Sequence, residues 1–526
     1  MKKQTIYLIV IMLLSFGLGV LSVVLYRTYQ EKQNGLKWEY GRWRKLSLIL
    51  DHVQNNYVDT IDTKAITEAA IVAALQELDP HSVYLPPVDL EESETQLAGN
   101  FEGIGIQFNV PNDTAIVLSV IPGGPSEKAG LLQGDRIIKV NEKIIAGTKT
   151  PQDSMVRLMK GPAGTKVKIG VRRDAEDISF DITRDKIPVN SIDASFMVND
   201  TTGYIKLTKF SRTTYTEFIL AATELLGKGM KNLVFDLRGN TGGYLEEAYL
   251  LSNEFLSKDD LIVYMEGLHR KRDEFRANGK GILKDVKLSV LIDEGSASSS
   301  EIFAGAMQDN DRGTIVGRRS FGKGLVQEPL NFTDGSGIRL TVARYHTPSG
   351  RCIQKPYSDD YAYDIYNRYT SGELTDADSI KVDESEVYYT VKGRKVYGGG
   401  GIVPDVFVPM DTTRASNFYI QCNRKATTMR FASYFFDKNK KTLSSIDNFD
   451  DLQKFFATAA LDQKFLQFAA ERDGIKPASK IEFDETSEYL MPQVRALVGR
   501  YSKLGENAFY QMYVPIDNTI QAALKN

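Results

Sequence analysis

The chain has 526 residues, enough for three or four folded units at roughly 150 residues each. With 65 Lys plus Arg against 68 Asp plus Glu, the net charge of −3 lacks the basic excess of a nucleic-acid binder. Hydrophobic residues at 42% and charged residues at 25% exclude whole-chain disorder, and two cysteines, Cys352 and Cys422, exclude a disulfide framework and a Cys-rich metal or cluster site.

The first feature in the chain is an uncharged apolar run, Ile6 to Tyr26, behind Lys2 and Lys3. Its 21 residues would cross a bilayer core about 30 Å thick. No A-x-A cleavage pattern follows, and the two lysines favour a cytoplasmic N-terminus. Residues 1–34 are therefore expected to be a signal anchor, a transmembrane helix with the rest of the chain outside the cytoplasm.

Residues 35–97 read as a helical arm: Leu46, Ile49, Leu50, Val53 and Tyr57 recur at helical spacing, as do Ile66, Ala69, Ala70, Ala73 and Ala74. Asp79-Pro80-His81 and Pro86-Pro87 break that pattern. Residues 98–185 turn to Gly-punctuated β runs, with one short helix predicted at Gln152–Met159. From about 187 to 410 strands alternate with helices, which predicts an α/β core with a largely parallel sheet. Within it, residues 357–400, rich in Tyr, Asp and Gly, look like a long insertion or arm. Residues 411–526 return to helices, with Phe455, Phe456, Phe465, Phe468 and Leu490 as expected core.

Chemistry concentrates between Leu288 and Gln327. An apolar strand runs into Gly295-Ser296-Ala297-Ser298-Ser299-Ser300 and then a helix. A serine on a strand-to-helix turn is exposed, and the N–H groups that follow point outward where an oxyanion is stabilised. Lys323 stands 25 residues after Ser298 between glycines and beside a Phe. A lysine in such a tight apolar site loses solvation, its pKa falls, and it can act as a base. Serine with lysine activates a hydroxyl without histidine, which suits a chain holding only His52, His81, His269 and His346. A second Gly cluster, Gly239 to Gly243, follows another strand and could place a further amide at the same end of the sheet.

Competing patterns fail on their own terms. Gly317 to Lys323 starts as a P-loop, but Gly324 replaces the Ser or Thr and a strand follows. No H-e-x-x-H or tight acidic–His cluster supports a metal, and no cofactor pattern is present. His81 beside Pro80 reads as a structural turn residue.

Taken in order, Leu78-Asp79-Pro80-His81-Ser82, Phe101-Glu102-Gly103-Ile104-Gly105, Asp236-Leu237-Arg238 with Gly242-Gly243, Gly295-Ser296-Ala297-Ser298, Phe321-Gly322-Lys323-Gly324 and Pro404-Asp405 resemble the carboxyl-terminal processing peptidases, or tail-specific proteases. The resemblance implies a Clp-protease/crotonase-like serine peptidase core at 186–410 with an inserted PDZ domain at 98–185. It implies Ser298 as nucleophile, Lys323 as base, Gln327 as its orienting partner, and the N–H groups of Gly243 and Ser299 as oxyanion donors. It also implies capture of apolar C-terminal tails, with Ile104, Gly105 and Ile106 receiving the terminal carboxylate and Met155, Val156 and Met159 lining the side-chain pocket. The alternative is a catalytically inactive, membrane-anchored PDZ adaptor, against which stand the intact Ser, Lys and Gln. The expected setting is the periplasmic side of a bacterial inner membrane. An adaptor protein, self-association and pairing of the two cysteines stay open.

Overall fold

A computed structural model describes residues 18–26 and 44–526, apart from 112, 122, 174 and 359. The chain divides into two compact units, Met1–Leu78 and Asp79–Asn526. In the first, residues 18–26 are helical, followed by helices Arg44–Asn56 and Thr63–Gln76. Asp62 starts the latter by accepting the N–H groups of Lys64 and Ala65 at 3.0 and 3.1 Å, two donors a helix cannot satisfy itself. Residues 1–17 and 27–34 of the expected anchor lie outside the described residues. Among those described, no helix is long and apolar enough to cross a membrane.

The second unit begins with a correction to the all-helical arm. Val83–Leu85 is a strand, and it pairs antiparallel with Gly337–His346, Val83 opposite Arg339. Three residues with so distant a partner leave no periodic signal. The pairing carries Asp79-Pro80-His81 up to a strand that also pairs with Leu325–Asn331. The sheet that receives it also holds Leu261–Gly267, Arg270–Arg276 and Leu325–Asn331, the last bearing Gln327.

The β module expected at 98–185 forms one antiparallel sheet in the order Ile106–Asn109, Ala115–Val120, Arg136–Val140, Lys166–Arg173, Glu176–Thr183. The predicted helix runs Gln152–Met159, and a second short one, Pro125–Ala129, was not predicted. Outside that sheet, Asn100–Gly103 pairs with Asp185–Pro188, so the chain enters and leaves the module through one ribbon. This is the geometry of an insertion.

The sheet of the α/β core runs Ile192–Met197, Thr202–Leu207, Asn232–Asp236, Lys287–Ile292, Thr314–Gly317, Val406–Phe407. The first pair is antiparallel and the rest parallel. Side chains alternate between its faces. Ile205, Phe235, Val290 and Ile315 point to one face, where Phe218, Phe255 and Phe303 of the crossover segments pack. Tyr204, Val234, Leu291 and Val316 point to the other, where Ile520 and Ala523 cover them. Those two residues belong to the last helix, Asn518–Lys525. The remaining C-terminal helices build a separate core around Phe431, Phe436, Phe465 and Leu490. Phe456 is buried there, while Phe455 and Phe468 pack at its margin. The 357–400 insertion is packed, not projecting: Arg368, buried, donates to the Arg319 and Ser320 carbonyls at 2.6 and 3.0 Å. Cys352 and Cys422 are both free thiols.

Candidate active site

Two turns at the carboxyl ends of neighbouring parallel strands meet to form the site. The strand Lys287–Ile292 ends at Ile292, and the helix Ser299–Asp309 begins seven residues later. Ser298 stands between them at φ 56°, ψ −115°, a conformation that L residues rarely adopt. Such strain at a strand-to-helix turn presents a nucleophile outward.

The row of three serines sorts itself by burial. Ser298 is half-buried, whereas Ser299 and Ser300 are 1% and 0% exposed. Ser299 Oγ donates to the Gly243 carbonyl at 2.9 Å and Ser300 Oγ to the Asn240 carbonyl at 2.8 Å. Their hydroxyls are spent joining the two turns. The opposing turn is equally committed. Asn240 accepts the Gly242 N–H at 2.9 Å, and the Gly242 carbonyl accepts the Phe210 N–H at 3.0 Å. A Cβ on Gly242 would lie 2.8 Å from Ser298 Cβ and 2.9 Å from the Ser299 nitrogen. Only glycine lets the backbone approach the serine turn this closely. Among the described residues, the N–H groups of Gly243 and Ser299 have no hydrogen-bond acceptor.

Lys323 is placed against Ser298 by two groups the sequence reading did not single out. Glu301, fully buried, accepts the N–H of Ser298 and that of Lys323, each at 2.9 Å. It also accepts the Gly322 N–H at 2.7 Å and the Ser320 hydroxyl at 2.5 Å. Burial pushes the Glu301 carboxyl up from its ordinary range, against the pull of those donors. On the carbonyl side, Tyr345 Oη shares its proton between the Lys323 and Ser298 carbonyls. One carboxylate and one phenol thus clamp both residues from opposite edges. Glu301 had a visible signal, since Ser298-x-x-Glu301 has capping-box spacing. Tyr345 had none, because it arrives from the other sheet.

The lysine side chain is held by the third expected residue. Lys323 Nζ donates to Gln327 Oε1 at 2.9 Å, and Gln327 Nε2 donates to the His81 carbonyl. Its bond is to Gln327 rather than to Ser298 Oγ. Burial lowers the Lys323 pKa, and the nearby Arg339 charge lowers it further. His81 is fixed in turn: Asp79 Oδ1 accepts its N–H at 2.8 Å, and its Nε2 pairs with Tyr361 Oη at 2.6 Å. His81 is a turn residue, as expected, whose carbonyl also orients the lysine's partner.

The residues expected to bind peptide lie in the inserted module. Ile106–Asn109 is an edge strand with Ala115–Val120 on one side only. Gly105 turns into it at φ 75°. Ile104, Met155 and Met159 are buried in the module's core at 2%, 0% and 4% exposure, which leaves Val156 as the partly exposed member of the helix trio. The two methionines therefore shape any groove mainly from beneath.

Comparison with known proteins agrees with this layout. Residues 201–363 match peptidase family S41, residues 103–183 match the PDZ domain, and residues 418–502 match a family of unknown function, DUF8443. The chain is 34% identical over 419 residues to the carboxy-terminal-processing protease of Bartonella bacilliformis, spanning 78% of this chain and 93% of that protein. It is 34% identical over 321 residues to the carboxy-terminal processing protease CtpA of Bacillus subtilis, 60% of this chain and 67% of that one. Among solved structures, the photosystem II D1 C-terminal processing protease is 26% identical, with a TM-score of 0.38 over 70% of this chain and 88% of its own. With segments matching peptidase family S41 and the PDZ domain, and a relative 34% identical over most of both chains, the chain belongs to the carboxy-terminal processing proteases, PDZ-containing serine peptidases of family S41.

Proposed function

We propose that this protein is a membrane-anchored endopeptidase that grips apolar C-terminal tails and cleaves by a Ser298–Lys323 mechanism. The tail adds as a strand beside Ile106–Asn109, with its carboxylate at the Ile104–Ile106 turn. Neutral Lys323 takes the Ser298 proton as Oγ attacks the scissile carbonyl. The N–H groups of Gly243 and Ser299 receive the oxyanion, each worth roughly 2.7–4 kcal/mol of barrier. Lys323 then protonates the leaving amine, and water hydrolyses the acyl-enzyme. Residues 1–34 anchor the chain, with the peptidase on the periplasmic side of a bacterial inner membrane; the apolar run behind Lys2 and Lys3 supports this.

The chief support is the serine turn. Of three consecutive hydroxyls, those of Ser299 and Ser300 are donated to backbone carbonyls and that of Ser298 is not, and the Ser298 backbone shares Glu301 with the backbone of Lys323. Cleavage of a peptide with an apolar C-terminus is the test. Ser298→Ala and Lys323→Met are each expected to lower kcat by about a thousandfold or more while the fold persists. Ser300→Ala should lose far less. Proteolysis at the parent rate by folded Ser298→Ala would overturn the assignment.

A further inference from the structure

The turn that carries Gly243 is held from a place far along the chain. Arg238 opens that turn, two residues beyond the end of the strand Asn232–Asp236. Its Nε and Nη2 engage Asp236, with the shortest contact 2.6 Å from Nη2 to Oδ2. Its Nη1 reaches Asp517, 3.0 Å from Oδ1 and 2.8 Å from Oδ2. A guanidinium gripped on two edges by carboxylates has little freedom to rotate. The Arg238 carbonyl is fixed as well, accepting from Lys206 Nζ.

Asp517 is itself immobilised. It caps the last helix, accepting the N–H groups of Thr519 and Ile520 at 2.9 and 3.0 Å. That helix is pinned by Ile520 and Ala523 to the sheet face bearing Val234 and Leu291. Residue 517 lies beyond the segments matching peptidase family S41 and the family of unknown function.

We infer that Asp517 is a positioning residue for the reaction: acting through Arg238, it sets the Gly239–Gly243 turn where the Gly243 N–H can meet the developing oxyanion. The inference rests on Gly243 being an oxyanion donor. Its substrate-side consequence is specific. Slackening Arg238 should weaken binding of the tetrahedral state and leave tail capture by the PDZ domain untouched.

Asp517→Asn separates this role from simple capping, because Asn caps a helix as well as Asp but cannot form the ion pair. Asp517→Ser, a second neutral cap, guards against a defect peculiar to Asn. In the full chain, both variants are expected to lower kcat about tenfold with KM within twofold. A peptide boronate, whose tetrahedral adduct occupies the oxyanion site, should bind about tenfold more weakly. The affinity of an apolar-tailed peptide for the PDZ domain and the thermal midpoint should match the parent. Parent-like kcat and boronate affinity in the variants would overturn the inference. So would a collapsed midpoint in both variants, which would make Asp517 a structural cap alone. If the parent chain failed to bind the boronate, the oxyanion assignment beneath the inference would fall with it.

Discussion

Glu301 is the residue that makes Ser298 and Lys323 neighbours. Its two oxygens collect four donors from the Ser298 turn and from the Ser320–Lys323 turn, so neither turn can shift alone. Gln could supply only one carbonyl oxygen there, leaving buried donors unmet. His81 offers the sharpest test at this scale. Burial, and then the positive charge of Lys323, lower its pKa from 6.5 to about 4. A depressed histidine favours the fold above its unfolded pKa of 6.5, and that contribution is lost as pH falls towards 4. Ring resonances of His81 should therefore titrate near pH 4, and in Lys323→Met the midpoint should move upward. A midpoint near 6.5 in the parent, or no movement on removing Lys323, would show that the two do not face each other. Ser298 and Lys323 drew attention because each sits in a short Gly-punctuated stretch whose chemistry is local, whereas Gln327 came only from the family resemblance. The partners that immobilise them, Tyr345 and the His81 carbonyl, come from chain segments with no sequence proximity.

At the scale of elements, the parallel core was legible because each strand and helix writes its own period. Gln152–Met159 and the helix starting at Ser299 stand where the apolar spacing puts them. The strand Val83–Leu85 was not, since three residues cannot display alternation and its partner Gly337–His346 lies some 250 residues on. The two turns proposed to carry catalysis are the elements on which rate is expected to depend most. Gly242 has φ 100°, and a methyl there would approach the Ala297 carbonyl and Ser298 Cβ, each at 2.8 Å. Both contacts are with the Ser298 turn, so relief must come from moving one turn off the other. Gly242→Ala is expected to cut kcat by about 10²–10³, the cost of losing one oxyanion donor, with a much smaller change in KM. Steady-state kinetics on the tailed peptide decide it, and a variant with parent kcat would mean that the turns tolerate separation.

Over the whole molecule, residues 411–526 join parts that the sequence left unconnected. Their helical core packs on the PDZ module: Arg136 pairs with Asp437 at 2.5 Å, Asn109 Nδ2 donates to Tyr501 Oη at 3.3 Å, and Leu118 lies against the same cluster. Asn109 closes the edge strand proposed to receive the tail. Further on, Asn507 accepts the Ser195 N–H at 2.8 Å, and the final helix seals the second face of the sheet of the α/β core. Sequence could show that these helices exist but not what they cover, because every contact that defines their role is long-range. Ile520 measures the seal. It is 1% exposed against Tyr204, Val234, Leu291 and Val316. Truncating it removes apolar area and leaves a cavity beneath the strands that carry both catalytic turns. Ile520→Ala should cost about 2–5 kcal/mol in denaturant unfolding. Ile481→Ala, at a site 69% exposed, should change stability by no more than about 0.5 kcal/mol. Equal and small effects at the two sites would mean that the last helix rests on the sheet without supporting it. A large loss confined to Ile520 would make the C-terminal helix part of the catalytic core.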